Sequence, residues 1–394
     1  MAKIIVSKEP GGDGVPFLKG ILVQSLLAAG IPFQDAYATT QAVRRGLGNN
    51  KTVTTAELKA CVAERLEQDL GPDARQTYEA EVDRKQEIIV SSGRGKSRFS
   101  TGILTRSLDV CGIDSKSVAT VVQRVQEVVQ TSGQPEISSA ALRRLIYQAL
   151  GEHCSTEVTR HYLSRLQFAE TTVPLIILVG GATGTGKSTV STELAYRLNI
   201  TRTQSTDMMR EIIRNYLAPH VVPTLAYSSF EAWRGLPAGP VPSGQRKTDN
   251  PLIAGYLNQY SNIEMALQAT IARAVKERHD IIIEGVHVLP AELDLDNTGK
   301  QAVVVPVMLA VTNRQRLADQ LSWRSREQPD RASSRYLEQL DAIWDLQSFL
   351  LNRADQAHIR VIANWTVADT VREILHEVNL RVSERYPPDP KILE

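Results

Sequence analysis

A chain of 394 residues with 42% hydrophobic side chains has room for two or three domains and a substantial core. Its 45 basic and 44 acidic residues leave a net charge of +1. That balance excludes a global field for nucleic acid or an anionic membrane, so any anion must be held by local charge. No apolar run reaches the ~20 residues that span a bilayer, and the N-terminal residues lack the apolar stretch of a secretory signal. Cys61, Cys111 and Cys154 are far apart and form no CxxC pair. The expectation is a cytoplasmic protein with reduced thiols, no zinc site and no disulfide framework.

The first half is a repeat. Ile4-Ile5-Val6-Ser7 returns as Ile88-Ile89-Val90-Ser91, and "FLKGILVQSLLAAG" (17–30) returns as "FSTGILTRSLDVCG" (99–112). "VTTAELKACVAERL" (53–66) returns as "ISSAALRRLIYQAL" (137–150), the offsets staying between 82 and 84 residues. Each copy predicts a short strand, a glycine-rich turn and three amphipathic helices. The third helix starts at a capping sequence, Thr54-Thr55-Ala56-Glu57 or Ser138-Ser139. The expected domains are residues 1–86, 87–170 and 171–394, with the last boundary between Glu170 and Pro174.

This tandem unit resembles the ATP-cone, a small regulatory nucleotide-binding module of ribonucleotide reductases and some kinases. The resemblance implies a regulatory nucleotide near Lys3, Gly11 and Gly12 in one copy, and near Gly93, Arg94 and Lys96 in the other. A helical domain serving dimerisation or packing is the alternative, and the oligomeric state stays open because cones often mediate assembly.

Leu175 to Val179 reads as a buried parallel strand. Gly181-x-x-x-x-Gly186-Lys187-Ser188 then matches the GxxxxGK[ST] phosphate loop at every fixed position, and a helix follows to Leu198. Backbone N–H groups of this loop must point inward at a phosphate, which needs backbone angles open to glycine, and the helix N-terminus adds partial positive charge. The nucleotide site is therefore Gly181, Thr183, Gly184, Thr185, Gly186, Lys187, Ser188 and Thr189. Lys187 is expected to reach the β- and γ-phosphates of the nucleotide, and Ser188 to ligate Mg²⁺.

The remaining elements narrow the class. The guanine-reading NKxD motif is missing: Asn50-Lys51 lies before the loop and runs on into Thr52-Val53. After the P-loop helix a short strand is expected to end at Asp207, followed by a helix that places Arg210 and Arg214 on one face. Asp207 then orients an acceptor hydroxyl, while helix capping by Thr206 or Asp207 is the competing role. Residues 216–259 form a long insertion in which Tyr227, Ser228, Ser229, Arg246 and Lys247 are candidate donors for an anionic acceptor. The strand "DIIIEG" ends in Glu284, a single carboxylate suited to Mg²⁺ or its water, as in small-molecule kinases. His287 reads as packing or support rather than as a base, and Asp294, Asp296 and Asn297 lack the glycine and distal Glu of a calcium loop.

Arg314, Arg316, Arg324, Arg326, Arg331 and Arg335 crowd one segment. A solvated face accounts for most of them; a kinase lid would use two, Arg324 and Arg326, to balance charge on the transferring group. A late strand, 359–363, leads to Asn364-Trp365-Thr366, where Asn364 is a nucleotide-side candidate and Trp365 is either core or an adenine contact.

Together "GGATGTGKST", "STDMMREIIR", "LAYSSFEAW", "IIIEGVHVLP" and "IANWTVADTV" resemble the archaeal-type 2-phosphoglycerate kinase family over residues 172–380. The resemblance implies ATP-dependent transfer to the 3-hydroxyl of 2-phosphoglycerate, a small phosphorylated substrate, with no nucleic-acid or membrane partner. The implied fold is an α/β P-loop kinase. It has a parallel sheet flanked by helices, is nucleoside-monophosphate-kinase-like with a lid, and follows two mainly helical ATP-cone-like repeats. Another phosphorylated polyol as acceptor, an inositol or sugar phosphate, and a nucleotide-sensing regulator are the rival readings.

Overall fold

The computed structural model describes residues 4–7, 14–47, 52–84, 88–93, 95–132, 134–218, 220–236, 250–327 and 333–394. Its contacts divide the chain into two units, residues 1–99 with 126–142, and residues 100–125 with 143–394. Among the described residues no helix is long and apolar enough to cross a membrane.

The first unit contains two small sheets of one design. In the first, β1 (Ile5–Ser7) pairs antiparallel with β2 (Gly14–Pro16), then α1 (Lys19–Ala28) and α2 (Phe33–Gly46) lead to β3 (Thr52–Thr54), parallel to β1. Next come α3 (Thr55–Leu70) and α4 (Pro72–Arg84). In the second sheet β4 (Ile89–Ser92) pairs antiparallel with β5 (Gly95–Arg98) and parallel with β6 (Glu136–Ser138). Between β5 and β6 lie α5 (Thr101–Asp109) and α6 (Ser115–Thr131); α7 (Ser139–His153) and α8 (Thr156–Ala169) follow. The division between units passes through α6 and α7. Each copy thus adds to the expected strand and three helices a hairpin partner, a third strand and a fourth helix. The third helix starts as expected: the Thr54 hydroxyl accepts from the Glu57 N–H while Glu57 accepts from the Thr54 N–H, a full capping box. Leu22, Leu26, Val43, Val53, Val62 and Leu66 form the core beneath the first sheet.

The second unit is built on a five-stranded parallel sheet of order β11-β10-β7-β9-β8. Its strands are β7 (Leu175–Gly180), β8 (Thr203–Ser205), β9 (Ile281–Gly285), β10 (Val303–Ala310) and β11 (Arg360–Ala363). The helices are α9 (Lys187–Leu198), α10 (Thr206–Tyr216), α11 (Pro251–Glu277), α12 (Leu295–Gly299), α13 (Arg314–Glu327), α14 (Ser333–Glu338), α15 (Leu340–Gln356) and α16 (Val367–Arg385).

The continuous apolar run of β7 is explained by burial on both faces. Leu175, Ile177 and Val179 pack with Val190 and Leu194 of α9 and with Ile374 and Val378 of α16. Ile176 and Leu178 point the other way, to Ile263, Leu267 and Ile271 of α11. The chain leaves β7 toward β8 and leaves β10 toward β11, so the connections diverge between these neighbouring strands. The crevice opened there at the carboxyl edge is where parallel α/β sheets bind ligands.

Candidate active site

The P-loop fills that crevice. Gly181, Gly184 and Gly186 have φ of 149°, 86° and 82°, a region closed to most side chains. Space as well as angle requires glycine: a Cβ on Gly181 would lie 2.8 Å from the Leu309 carbonyl oxygen, and one on Gly186 would lie 2.4 Å from Asn364 Nδ2. Gly186 caps α9 in the left-handed conformation, so the helix N-terminus opens into the loop. The Ala182 carbonyl collects three donors, Thr185 Oγ1 at 2.9 Å, the Thr185 N–H at 3.4 Å and Lys187 Nζ at 2.7 Å. Thr185 is fully buried, whereas Ser188 and Thr189 face solvent.

Strand register sets the candidate metal side. Glu284 pairs with Val179 of β7 on one side and Ser205 of β8 on the other, at the carboxyl edge. From there its Oε1 accepts from Ser188 Oγ at 2.9 Å. Among the described residues no group of three or more His, Cys, Asp or Glu side chains could hold a metal ion. Two hard oxygen donors facing one another fit a small divalent ion that takes its other ligands from phosphates and water, as Mg²⁺ does.

On the expected acceptor side β8 ends at Ser205, two residues before the expected end at Asp207. Ser205 is the N-cap of α10, its Oγ accepting from the Asp207 N–H at 3.2 Å. Neither Thr206 nor Asp207 caps the helix, because a short edge strand releases the chain earlier. Thr206 is buried with an unpartnered hydroxyl against Gly285, and Asp207 is exposed in the first turn, just past the residue paired with Glu284. Arg210 donates from Nη1 to the carbonyls of Leu225 at 2.9 Å and Tyr227 at 3.5 Å, which draws α10 to the "LAYSS" segment. Arg214, one turn on, is exposed and ion-paired with Glu211. Tyr227 and Ser228 are half-buried and Ser229 is buried. Arg246 and Lys247 lie outside the described residues, as do Lys3, Gly11, Gly12 and Arg94 of the repeats.

The expected insertion is shorter than its sequence suggested. Two 3₁₀ turns at Pro223–Ala226 and Ala232–Gly235 order its first part, and α11 begins at Pro251 with Asn250 as its cap. Gln259 is therefore a helix residue. It is fully buried, with Nε2 2.6 Å from the Thr224 carbonyl and 3.0 Å from that of Tyr227, while its Oε1 lies 2.7 Å from Nε2 of His287. His287 is fully buried, and that burial pushes its imidazole down to about 4.

On the nucleotide side Asn364 is buried rather than poised for a ligand. Its Nδ2 donates to the Thr185 carbonyl at 2.8 Å, and its Oδ1 accepts from Thr370 at 2.9 Å. Trp365 is 54% exposed, so the core role is excluded. The Arg316 guanidinium lies 5.1 Å from the Trp365 ring centre and donates to the Trp365 carbonyl. Arg324 and Arg326 belong to α13 by their backbone; their side chains lie outside the described set. On the nearer part of the same helix Leu317 and Leu321 cover Gly184.

Gln259, Gln347 and Thr370 escaped the sequence reading. Gln347 is buried and clamps Val311 through both its N–H and its carbonyl, at 2.9 and 3.0 Å. The available signal was polar residues at core positions of helices, where a buried amide must be matched on both ends.

No family model matches the chain. It is 36% identical over 297 residues to the 2-phosphoglycerate kinase of Pyrococcus horikoshii, an alignment spanning 75% of this chain and 95% of that one. It is 33% identical over 299 residues to the 2-phosphoglycerate kinase of Thermococcus kodakarensis, spanning 75% and 99%. Among solved structures, a gluconokinase from Sinorhizobium meliloti 1021 superposes with a TM-score of 0.33 at 18% identity, over 54% of this chain and 96% of that one.

Proposed function

The chain belongs to the 2-phosphoglycerate kinase family, and from that premise we propose that it transfers the γ-phosphoryl group of ATP to the 3-hydroxyl of 2-phosphoglycerate, giving 2,3-bisphosphoglycerate and ADP. The observation that carries this reading is the register of Glu284 between Val179 and Ser205. It sets the P-loop helix, the strand-end carboxylate and the start of α10 along one edge of the sheet, where donor, metal and acceptor must meet for in-line transfer.

Backbone N–H groups of residues 183–188 hold the β-phosphate, and Lys187 exchanges the Ala182 carbonyl for the β- and γ-phosphate oxygens. Ser188 and Glu284 are the residues that would hold Mg²⁺, Glu284 directly or through a water. When bound, the ion neutralises charge shared by the two phosphates. Asp207 accepts the proton of the acceptor hydroxyl as its oxygen bonds to the γ-phosphorus. The bond from that phosphorus to the bridging oxygen breaks, and its electron pair leaves with ADP. Arg210, Arg214, Tyr227, Ser228 and Ser229, with Arg246 and Lys247, bind the acceptor's carboxylate and phosphate. Arg324 and Arg326 of α13 balance charge on the transferring group.

The test is purified protein with ATP, magnesium and 2-phosphoglycerate, followed by phosphorus NMR. A product with two phosphomonoester signals is expected. Turnover of an inositol or sugar phosphate instead would move the acceptor, and no transfer to any of them would overturn the kinase reading.

We assign nucleotide sensing to the N-terminal repeats on a separate observation, their shared strand order with a hairpin and a parallel third strand. Lys96, paired with Glu136 at 2.6 Å, stands on that hairpin in the second copy. Titrating ATP and dATP against activity and molecular mass tests it; flat responses in both would leave the repeats a packing role.

A further inference from the structure

Building on the acceptor side just described, we infer that His287 is its positioning residue: held as the neutral imidazole with the proton on Nε2, it aims the Gln259 amide that fixes the 224–227 turn, and thereby sets acceptor affinity.

Gln259 has one way to satisfy its neighbours. The Thr224 and Tyr227 carbonyls only accept, so the amide NH₂ must face them, at 2.6 and 3.0 Å. The amide oxygen then faces His287 Nε2 at 2.7 Å, and since that oxygen also only accepts, Nε2 must carry the proton. In a neutral ring Nδ1 is left a bare acceptor, and it is buried without a partner. Protonating it would place a cation in a fully buried site that already feels Arg210 and Lys187, with Asp207 opposing them. The Tyr256 ring, stacked at 5.9 Å and 13°, fixes the imidazole plane, and its hydroxyl is tied to the Val286 carbonyl at 2.9 Å.

The turn is thus gripped from two helices. Arg210 of α10 donates to the Leu225 and Tyr227 carbonyls, and Gln259 of α11 donates to those of Thr224 and Tyr227. Tyr227, Ser228 and Ser229 hang from the shared point. Without the His287 proton, Gln259 Oε1 is a stranded buried acceptor and its amide has reason to rotate away from the turn. His287 touches neither reactant; it acts through Gln259.

Steady-state kinetics of His287→Leu, His287→Gln and Gln259→Leu test this. Both Leu variants should raise the KM for 2-phosphoglycerate roughly 10- to 100-fold, the range a stranded acceptor produces, and leave the KM for ATP within about twofold. Gln, which brings its own N–H donor, should recover most of the loss, and the double Leu variant should be no worse than either single one. Equal changes in both KM values, or an unchanged acceptor KM, would overturn the inference.

Two readouts need no turnover. Nitrogen NMR of the wild-type full chain should find the His287 ring proton on Nε2. Hydrogen exchange should quicken over residues 223–230 but not 181–190 in His287→Leu, or in Gln259→Leu if the former does not fold. A proton on Nδ1, or unchanged exchange, sinks the proposal whatever the acceptor. An exchange effect without turnover of 2-phosphoglycerate faults the acceptor assignment and leaves the positioning role intact.

Discussion

Ser188 Oγ and Glu284 Oε1 stand 2.9 Å apart, joining the first turn of the P-loop helix to the carboxyl end of the adjacent strand. The contact spans 96 residues of chain. Magnesium dependence should expose it. Ser188→Ala and Glu284→Gln should each raise the free Mg²⁺ needed for half-maximal activity by roughly tenfold or more, since loss of even an outer partner of a metal costs about that much. Titration of activity against free Mg²⁺ reads this directly, and unaltered demand in both variants would remove the pair from the metal.

Lys187→Ala should lower kcat by about a thousandfold or more, the scale on which cationic groups act in phosphoryl transfer. Lys187 is half-buried on a loop whose glycine geometry does not depend on it, so circular dichroism and the thermal midpoint should stay close to wild type. Near-normal turnover in this variant would refute the site.

Gly186→Ala combines two penalties, a left-handed φ of 82° and a Cβ set 2.4 Å from Asn364 Nδ2. Asn364 cannot yield without breaking its bonds to Thr185 or Thr370. A destabilisation of roughly 1–3 kcal/mol is expected, with a higher KM for ATP. Gly20→Ala is the contrast: it lies within α1 with open space at the Cβ position, and should stabilise by about 0.5–1 kcal/mol. Denaturant melts of the two variants give the comparison.

Acid stability follows from His287. Its folded value of about 4 lies below the ordinary 6.5 because burial disfavours the cation. A depressed group contributes stability that is fully present above 6.5 and fades as pH falls toward 4. The full span is worth on the order of 3 kcal/mol. Urea midpoints should fall across that window in the wild type, and fall less in His287→Gln. Parallel curves would show that other groups dominate.

Much of this was legible in residue patterns. The P-loop announces itself because every position is dictated by backbone geometry and a phosphate's shape. The tandem repeat is visible because offsets survive where residues have changed. The hairpin strands β2 and β5 were not legible, since they are three or four residues long and largely exposed, leaving no apolar alternation to read. The N-cap at Ser205 was missed because Ser, Thr and Asp stand in a row and only the length of the edge strand chooses among them. Asn364 reads from its place after a late strand as a nucleotide contact, yet its amide holds the Thr185 carbonyl 179 residues away, a relationship that one strand order creates and no local pattern encodes.

The Ala182 carbonyl, with Thr185 and Lys187 gathered on it, bears on how the nucleotide is admitted. A loose ammonium would have to be ordered afresh by each incoming guest. Here the lysine head is kept at home on a neighbour's oxygen, so in the proposed role arrival would trade one acceptor for another and little chain freedom would be lost. Affinity at such a loop is governed by what the phosphate displaces more than by what it must organise.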